Sequence, residues 1–428
     1  MHFTLVFLAF LTAQFSLRMV LALRHLRHVV RHRGAVPDDF QHSISLANHQ
    51  RAADYTRAKI GLASSELLVQ TLWIVLLTVG GGLGWIQSTV GTIWATLFPE
   101  ELPGPGLDYQ VSLILVVLLL GALLDLPFSW WRHFRTDARF GFNRMSFWLW
   151  ASDGIKGLLV GAALGIPFLV FVLWLMERTA GFWWVWAWTA WIAFQLAVML
   201  LWPTLIAPLF NRFEPLEEGP LRARVEALLR RCGFSSKGLF VMDGSRRSAH
   251  GNAYFTGLGR AKRIVFFDTL MSQLGADEIE AVLAHELGHF KHRHLLQRMV
   301  SSAVTSFFAL AVLGWIMEQA WFYRGLGLVP LPGSQAACAL ILFAIVLPVF
   351  LFPLQPLMSW WSRRHEFEAD AYAARHARAA DLISALVKMT KDNAATLTPD
   401  PLHSAVFDSH PPAPIRIARL RALAATPE

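Results

Sequence analysis

Ala284-His285-Glu286-Leu287-Gly288-His289 carries two histidines four residues apart with a glutamate beside the first, an HExxH motif. On a helix this spacing puts both imidazoles on one face, one turn apart, where they can share a tetrahedral metal. Glu286 can take the proton of an attacking water as general base. With 16 His and 30 acidic residues in the chain, chance alone would produce the motif in roughly 2% of such sequences, so its surroundings matter. Ile279, Val282 and Leu283 supply an apolar face, and Asp277-Glu278-Ile279-Glu280 opens a helix with an acidic first turn and capping-box spacing. A buried helix with incidental histidines is the competing reading.

A hydrolytic zinc needs a third protein ligand and a position left open for water. The candidate is Glu366, in Ser362-Arg363-Arg364-His365-Glu366-Phe367-Glu368-Ala369-Asp370. Asp370, one turn later, can accept the spare ring N–H of a ligating histidine and fix its tautomer. Glu368 points off that face and reads as solvated. His292 and His294 follow the motif closely, but the Gly and third His of the metzincin pattern are absent, so both read as juxtamembrane residues. The expected cofactor is one Zn2+ per chain, held by His285, His289 and Glu366.

The elements that position these groups are membrane helices. The 428 residues are 55% hydrophobic and only 16% charged, with a mean hydropathy of +0.43. A soluble domain carries about 25% charged residues, so this chain cannot wet a globule of its size and is not a cytosolic enzyme or a disordered chain. Segments long enough for a ~20-residue span fall near 3–23, 64–86, 110–130, 157–176, 182–205, 299–318 and 336–358. The first lacks an N-terminal basic region and a small-residue cleavage site, so it reads as a retained helix rather than a signal peptide. Cys232 and Cys338 have no paired spacing, which excludes a disulfide framework.

Loop charge gives the orientation. The 24–59 loop is rich in Arg, 87–109 has no Lys or Arg but contains Glu100, Glu101 and Asp108, and 131–156 is basic again. The long 206–298 and 359–428 segments are also rich in Arg. This alternation fits an outside N-terminus and every large loop in the cytoplasm. The net charge of +8 then records topology and not nucleic-acid binding. His25, His28, His32, His42 and His49 of the first loop read as polar juxtamembrane residues rather than a metal site. Two spans separate His289 from Glu366, and an even number returns the chain to the same side.

The expected fold is an all-α multi-pass membrane protein of seven transmembrane helices with a zincin-like α+β catalytic domain. Membrane helices 1–5 occupy 1–205, a zincin-like segment 206–298, helices 6–7 299–358, and a segment completing the site 359–428. Strand-like runs at Gly238–Met242 and Arg263–Phe267 supply the β part.

HExxH with a distant Glu-x-x-x-Asp on seven spans resembles the type I CAAX prenyl proteases, integral-membrane gluzincin metalloproteases. Phe140-Gly141-Phe142-Asn143-Arg144, Pro208-Leu209-Phe210-Asn211-Arg212-Phe213, Gly251-Asn252-Ala253-Tyr254-Phe255 and Ser409-His410-Pro411 with Arg416 resemble that family's other motifs, in order. The resemblance implies that Asn252 and His410 lie beside the zinc. There, polar donors aimed at the oxyanion would lower the barrier, and His410 could pass a proton to the leaving amine. It also implies helices ringing a water-filled chamber, and peptide or protein substrates, often lipidated at a C-terminal cysteine, that lose their last three residues. In a bacterium the host would be the inner membrane, in a eukaryote the endoplasmic reticulum.

A membrane quality-control protease without a prenyl requirement shares every one of these residues. A transporter or receptor that lost catalysis is the rival from another class, and intact His285, Glu286, His289 and Glu366 argue against it. Site-2-type proteases place HExxH inside an apolar span, whereas here Lys291-His292-Arg293-His294 follows it. Reporter fusions at residues near 50, 100, 145, 250 and 425 should read in, out, in, in, in. An outside reading at 250 would overturn the orientation.

Overall fold

The computed structural model describes residues 2–98, 106–179, 181–234, 238–256 and 263–425. Glu100 and Glu101, used above for orientation, lie outside them. Seven helices are long and apolar enough to cross a membrane: His2–Arg31, Leu46–Leu77, Leu107–Asp137, Phe147–Arg178, Trp183–Phe210, His294–Ile316 and Gln335–His376. Leucines on their outer faces, such as Leu72 and Leu118, stay exposed, as lipid-facing residues do when lipid replaces water.

The second span differs from its hydropathy. The apolar run over 64–86 continues through residues where the helix stops, at Leu77, and a separate helix, Gly82–Leu97, follows. Gly80-Gly81-Gly82 is the cause. Gly81 turns at φ +75°, a conformation that side chains disfavour, and a Cβ on Gly82 would sit 2.6 Å from the Leu76 carbonyl oxygen. The first-loop histidines are also less solvated than expected. His25 is buried and stacks on His403, and the buried His49 bonds the His32 carbonyl.

Outside the spans lies a four-stranded sheet, β1 (Phe213–Pro215), β2 (Leu239–Met242), β3 (Ala253–Thr256) and β4 (Arg263–Phe267). Its order is β1-β2-β4-β3, with β2 and β4 parallel and the outer pairs antiparallel. Both expected strands are present. The sheet packs through Ile264 and Phe266 into a core with Leu270, Ile279, Leu283, Leu287, Leu386, Ile417 and Leu420, so it shares one hydrophobic interior with the motif helix and the C-terminal helices.

The motif helix runs Ala276–Lys291 and is capped from within: the Gly275 N–H donates to Glu278 Oε2 at 2.7 Å. The same carboxylate accepts from Lys388 Nζ at 2.7 Å and Ser384 Oγ at 2.6 Å on helix Ala379–Asp392. Burial alone would raise the pKa of Glu278, but its bonds from Lys388, Ser384 and Gly275 outweigh that and hold it below the usual carboxyl range. Its stabilisation is therefore complete above the unfolded value, about 4.3, and is lost as pH falls through the folded value. Glu278→Gln should destabilise the detergent-solubilised protein at pH 7 by about 1–3 kcal/mol. In thermal melts the gap between variant and parent should shrink progressively below about pH 4. A gap that stays constant with pH would assign the effect to packing.

Candidate metal centre

Two helices build the centre. The motif helix packs along the extension of the last span, Gln355–His376, which continues from helix Gln335–Leu351 through one short turn, Phe352–Leu354. Gly288 sets their separation. A Cβ there would lie 2.8 Å from Ala369 Cα and 3.1 Å from Tyr372 Cβ, so any larger residue would push the helices apart.

This contact brings His285, His289 and Glu366 together, with one ligand atom from each within 4.8 Å of the others. His285 Nε2 stands 3.3 Å from His289 Nε2 and 3.5 Å from Glu366 Oε2, and His289 Nε2 stands 3.4 Å from Glu366 Oε1. Glu366 is 1% exposed, and its Oε2 has no hydrogen-bond partner. Two imidazoles and a carboxylate aimed at one point are a zinc donor set.

Behind the cluster, His285 Nδ1 lies 2.9 Å from Asp370 Oδ1. Arg416, on helix Ala413–Ala425, grips Asp370 with two bonds of 2.6 and 2.9 Å. Burial and the Arg416 cation push the His285 pKa down, yet the bonds to Asp370 and Glu366 outweigh them and raise it to about 9. The field at this ring therefore favours added positive charge, as a site for a dication requires. Glu286 is half-buried beside the cluster, and its charge contributes to the field on Arg416.

His410 Nε2 lies 3.4 Å from Glu366 Oε1, and its Nδ1 pairs with Ser409 Oγ at 3.0 Å. Arg363, one turn before Glu366, holds this loop by bonding the Asp408 and Ser404 carbonyls. Crowding by surrounding protein pushes the His410 pKa below the ordinary imidazole value. Asn252 stands just before β3, and its Oδ1 accepts from the Ala253 N–H. Among the described residues no hydrogen bond or ion pair joins it to the cluster. The Phe140–Arg144 loop positions this stretch: Phe142 stacks on His250 at 4.4 Å and its carbonyl accepts from the Ala249 N–H. A Cβ on Gly251 would meet Gln273 Oε1 at 2.4 Å and Leu270 Cα at 3.3 Å, so glycine lets the strand approach.

One reading of the sequence is extended and another corrected. His294, at the start of the sixth span, does more than flank the membrane. It is 2% exposed, and its Nδ1 lies 2.9 Å from His289 Nδ1. Glu368 is not free in solvent: it bonds His294 Nε2 at 3.0 Å and Arg364 Nε at 3.1 Å. The clamp of Arg416 on Asp370 joins two separate helices, so sequence spacing does not reveal it.

Residues 25–212 match the family model of the CAAX prenyl protease N-terminal domain with five membrane helices, and residues 215–424 match peptidase family M48. CAAX prenyl protease 1 homolog of Arabidopsis thaliana is 36% identical over 80% of this chain and 79% of its own length. The chain belongs to the CAAX prenyl protease family of M48 peptidases. CAAX prenyl protease 1 of Saccharomyces cerevisiae is 36% identical over 70% of the chain and 69% of its own. The crystal structure of S. mikatae Ste24p superposes with a TM-score of 0.89 at 29% identity, covering 98% of this chain and 99% of that one. The fold of this M48 peptidase is thus that of a multi-pass membrane protease.

If Gly288 sets the helix separation, Gly288→Ala should cost about 1–3 kcal/mol of stability through overpacking. It should also weaken metal binding, because His285, His289 and Glu366 straddle the contact. Calorimetry and metal titration of purified protein check both, and an Ala variant with parental metal affinity would show that the helices can yield without moving the donors.

Proposed function

We propose that this membrane peptidase is a zinc endopeptidase that cleaves peptides near a lipidated C-terminal cysteine, releasing the last three residues. The convergence of His285, His289 and Glu366 beside Glu286, in a peptidase family fold, is the observation that carries the reading. The relatives' names, CAAX prenyl protease 1 and its homologs, support the substrate class. The charge alternation supports a cytoplasmic site with an outside N-terminus. On this reading 1–205 and 299–358 are the membrane walls, and 206–298 with 359–428 form the catalytic part.

His285, His289 and Glu366 would hold the zinc, with Asp370 fixing the His285 ring from behind. When bound, the metal polarises the scissile carbonyl and acidifies water. Glu286 would accept the proton of an attacking water and deliver it toward the leaving amine. His410 and Asn252 donate to the oxyanion, and the lowered pKa of His410 keeps it neutral near pH 7, so that one N–H is available as a donor. β3 is an edge of the sheet, and its side left unpaired among the described residues would offer backbone groups to an extended peptide.

Metal analysis and cleavage of a farnesylated CAAX peptide and its unprenylated twin test the proposal together. Glu286→Gln should keep zinc and lower turnover by about 100- to 10,000-fold. Glu366→Ala should lose zinc. Full zinc content and activity in the Glu366 variant would remove the third ligand. Equal cleavage of the two peptides would replace the prenyl reading with that of a general membrane quality-control peptidase.

A further inference from the structure

We propose that His294 and Glu368 form a relay that fixes the ring of His289, passing its N–H through a second imidazole to a carboxylate. The inference rests on the reading of His285, His289 and Glu366 as metal ligands. It adds two positioning residues to that set.

The argument starts from tautomers. His289 turns Nε2 toward Glu366 Oε1 and His285 Nε2, at 3.4 and 3.3 Å. For Nε2 to bind a metal it must carry no proton, so the proton of a neutral ring sits on Nδ1. Nδ1 has one ring nitrogen within reach, His294 Nδ1 at 2.9 Å. His289 therefore donates and His294 accepts. His294 must then carry its own proton on Nε2, and Nε2 lies 3.0 Å from Glu368 Oε2. Each assignment forces the next, and the chain ends on a carboxylate that accepts without needing a proton of its own. Arg364 Nε donates to the other oxygen of Glu368 at 3.1 Å and holds it in place.

Geometry explains why an extra imidazole is needed. Asp370 lies four residues after Glu366, on the same helix face, and reaches His285 directly. Glu368 lies only two residues after Glu366, about 200° around the helix, so it faces away from the cluster. His294 closes the gap from the first turn of the sixth span. Arg293 makes this placement possible by turning the chain at φ +57° between the motif helix and that span. His294 is further locked by His365, whose ring stacks on it at 3.9 Å and 11°. The two ligand histidines are thus supported unequally. The Asp370 behind His285 is already gripped by Arg416, whereas His289 is backed through a buried neutral ring.

The test uses purified full-length protein in detergent, stripped of metal. Zn2+ is titrated against a chromophoric chelator, and Co2+ absorption reports ligand geometry. Removing such a partner typically weakens metal binding 10- to 100-fold, and His294→Ala should fall in that range and shift the Co2+ spectrum. His294→Asn, which keeps an acceptor near the position of Nδ1, should recover most of the loss. His294→Phe, which keeps the stack on His365 but no acceptor, should not. Glu368→Gln, at a half-buried position, keeps the size of the side chain and should fold normally while weakening zinc by a smaller factor. Combined with His294→Ala it should add little, because both act through one path. Parental affinity in His294→Phe, or full additivity of the Glu368 loss, would overturn the relay in favour of packing. If the parent bound no zinc, or Glu366→Ala bound it normally, the metal reading itself would fall and the relay with it.

Discussion

The approach of the motif helix to the extension of the seventh span, through Gly288 and Ala369, is the constraint on which the centre depends. Residues 285 and 366 are far apart in sequence, and two membrane spans lie between them. The spans are what return the chain to the same side at a defined place. Because Gln355–His376 continues the last span with only a short turn between, the position of Glu366 is inherited from the membrane-embedded bundle. His294 begins the sixth span directly after the motif helix. Both candidate donor helices are therefore anchored at their membrane ends, and the soluble sheet and C-terminal helices clamp the other side through one shared core.

That anchoring must hold against electrostatics. Glu366 and Asp370 are buried within one helical turn of each other, and Glu286 is near. Buried carboxylates of like charge are costly unless cations and hydrogen bonds balance them. Arg416 supplies the resident cation, and it comes from helix Ala413–Ala425, the last of the described elements. The site thus ties this helix to the motif helix: without Ala413–Ala425 docked, Asp370 would lose its buried cation. The excess of negative charge that remains after Arg416 is counted is what a bound dication would balance.

The parts of this arrangement that lie within one helix were legible from spacing alone. HExxH and Glu366–Asp370 each place two groups one turn apart, and the helical period makes that arithmetic local. The number of spans was legible because apolar length is a property of single segments. The end of the second span was not, because a hydropathy average cannot see that Gly80-Gly81-Gly82 bends the backbone while remaining apolar. Nor were His294, Glu368 and the Arg416 clamp. Each of these contacts joins two helices, so its residues share no period, and Glu368 looked solvated because the helical wheel of its own segment is silent about the neighbour. Proximity to HExxH was the available signal for His294, and it pointed to a different motif pattern that this sequence does not satisfy.

His410 poses a last question of solvation, since its side chain is 66% exposed while its pKa is lowered as if buried. Both hold if it lines a cavity open to solvent. A cavity of about 690 Å³ is bounded by His410, Arg416, His403 and Lys59. Lys59 lies on the helix Leu46–Leu77, in its polar first half with Arg51, Asp54 and Arg57. Its side chain is exposed and borders the cavity beside Thr56, Thr390 and Asn393. Protein atoms around the cavity crowd the imidazole without covering it, which lowers the pKa while leaving its surface accessible. A hydrolase built from membrane helices needs this compromise, for the attacking water must reach a centre whose walls are made of residues chosen to exclude it.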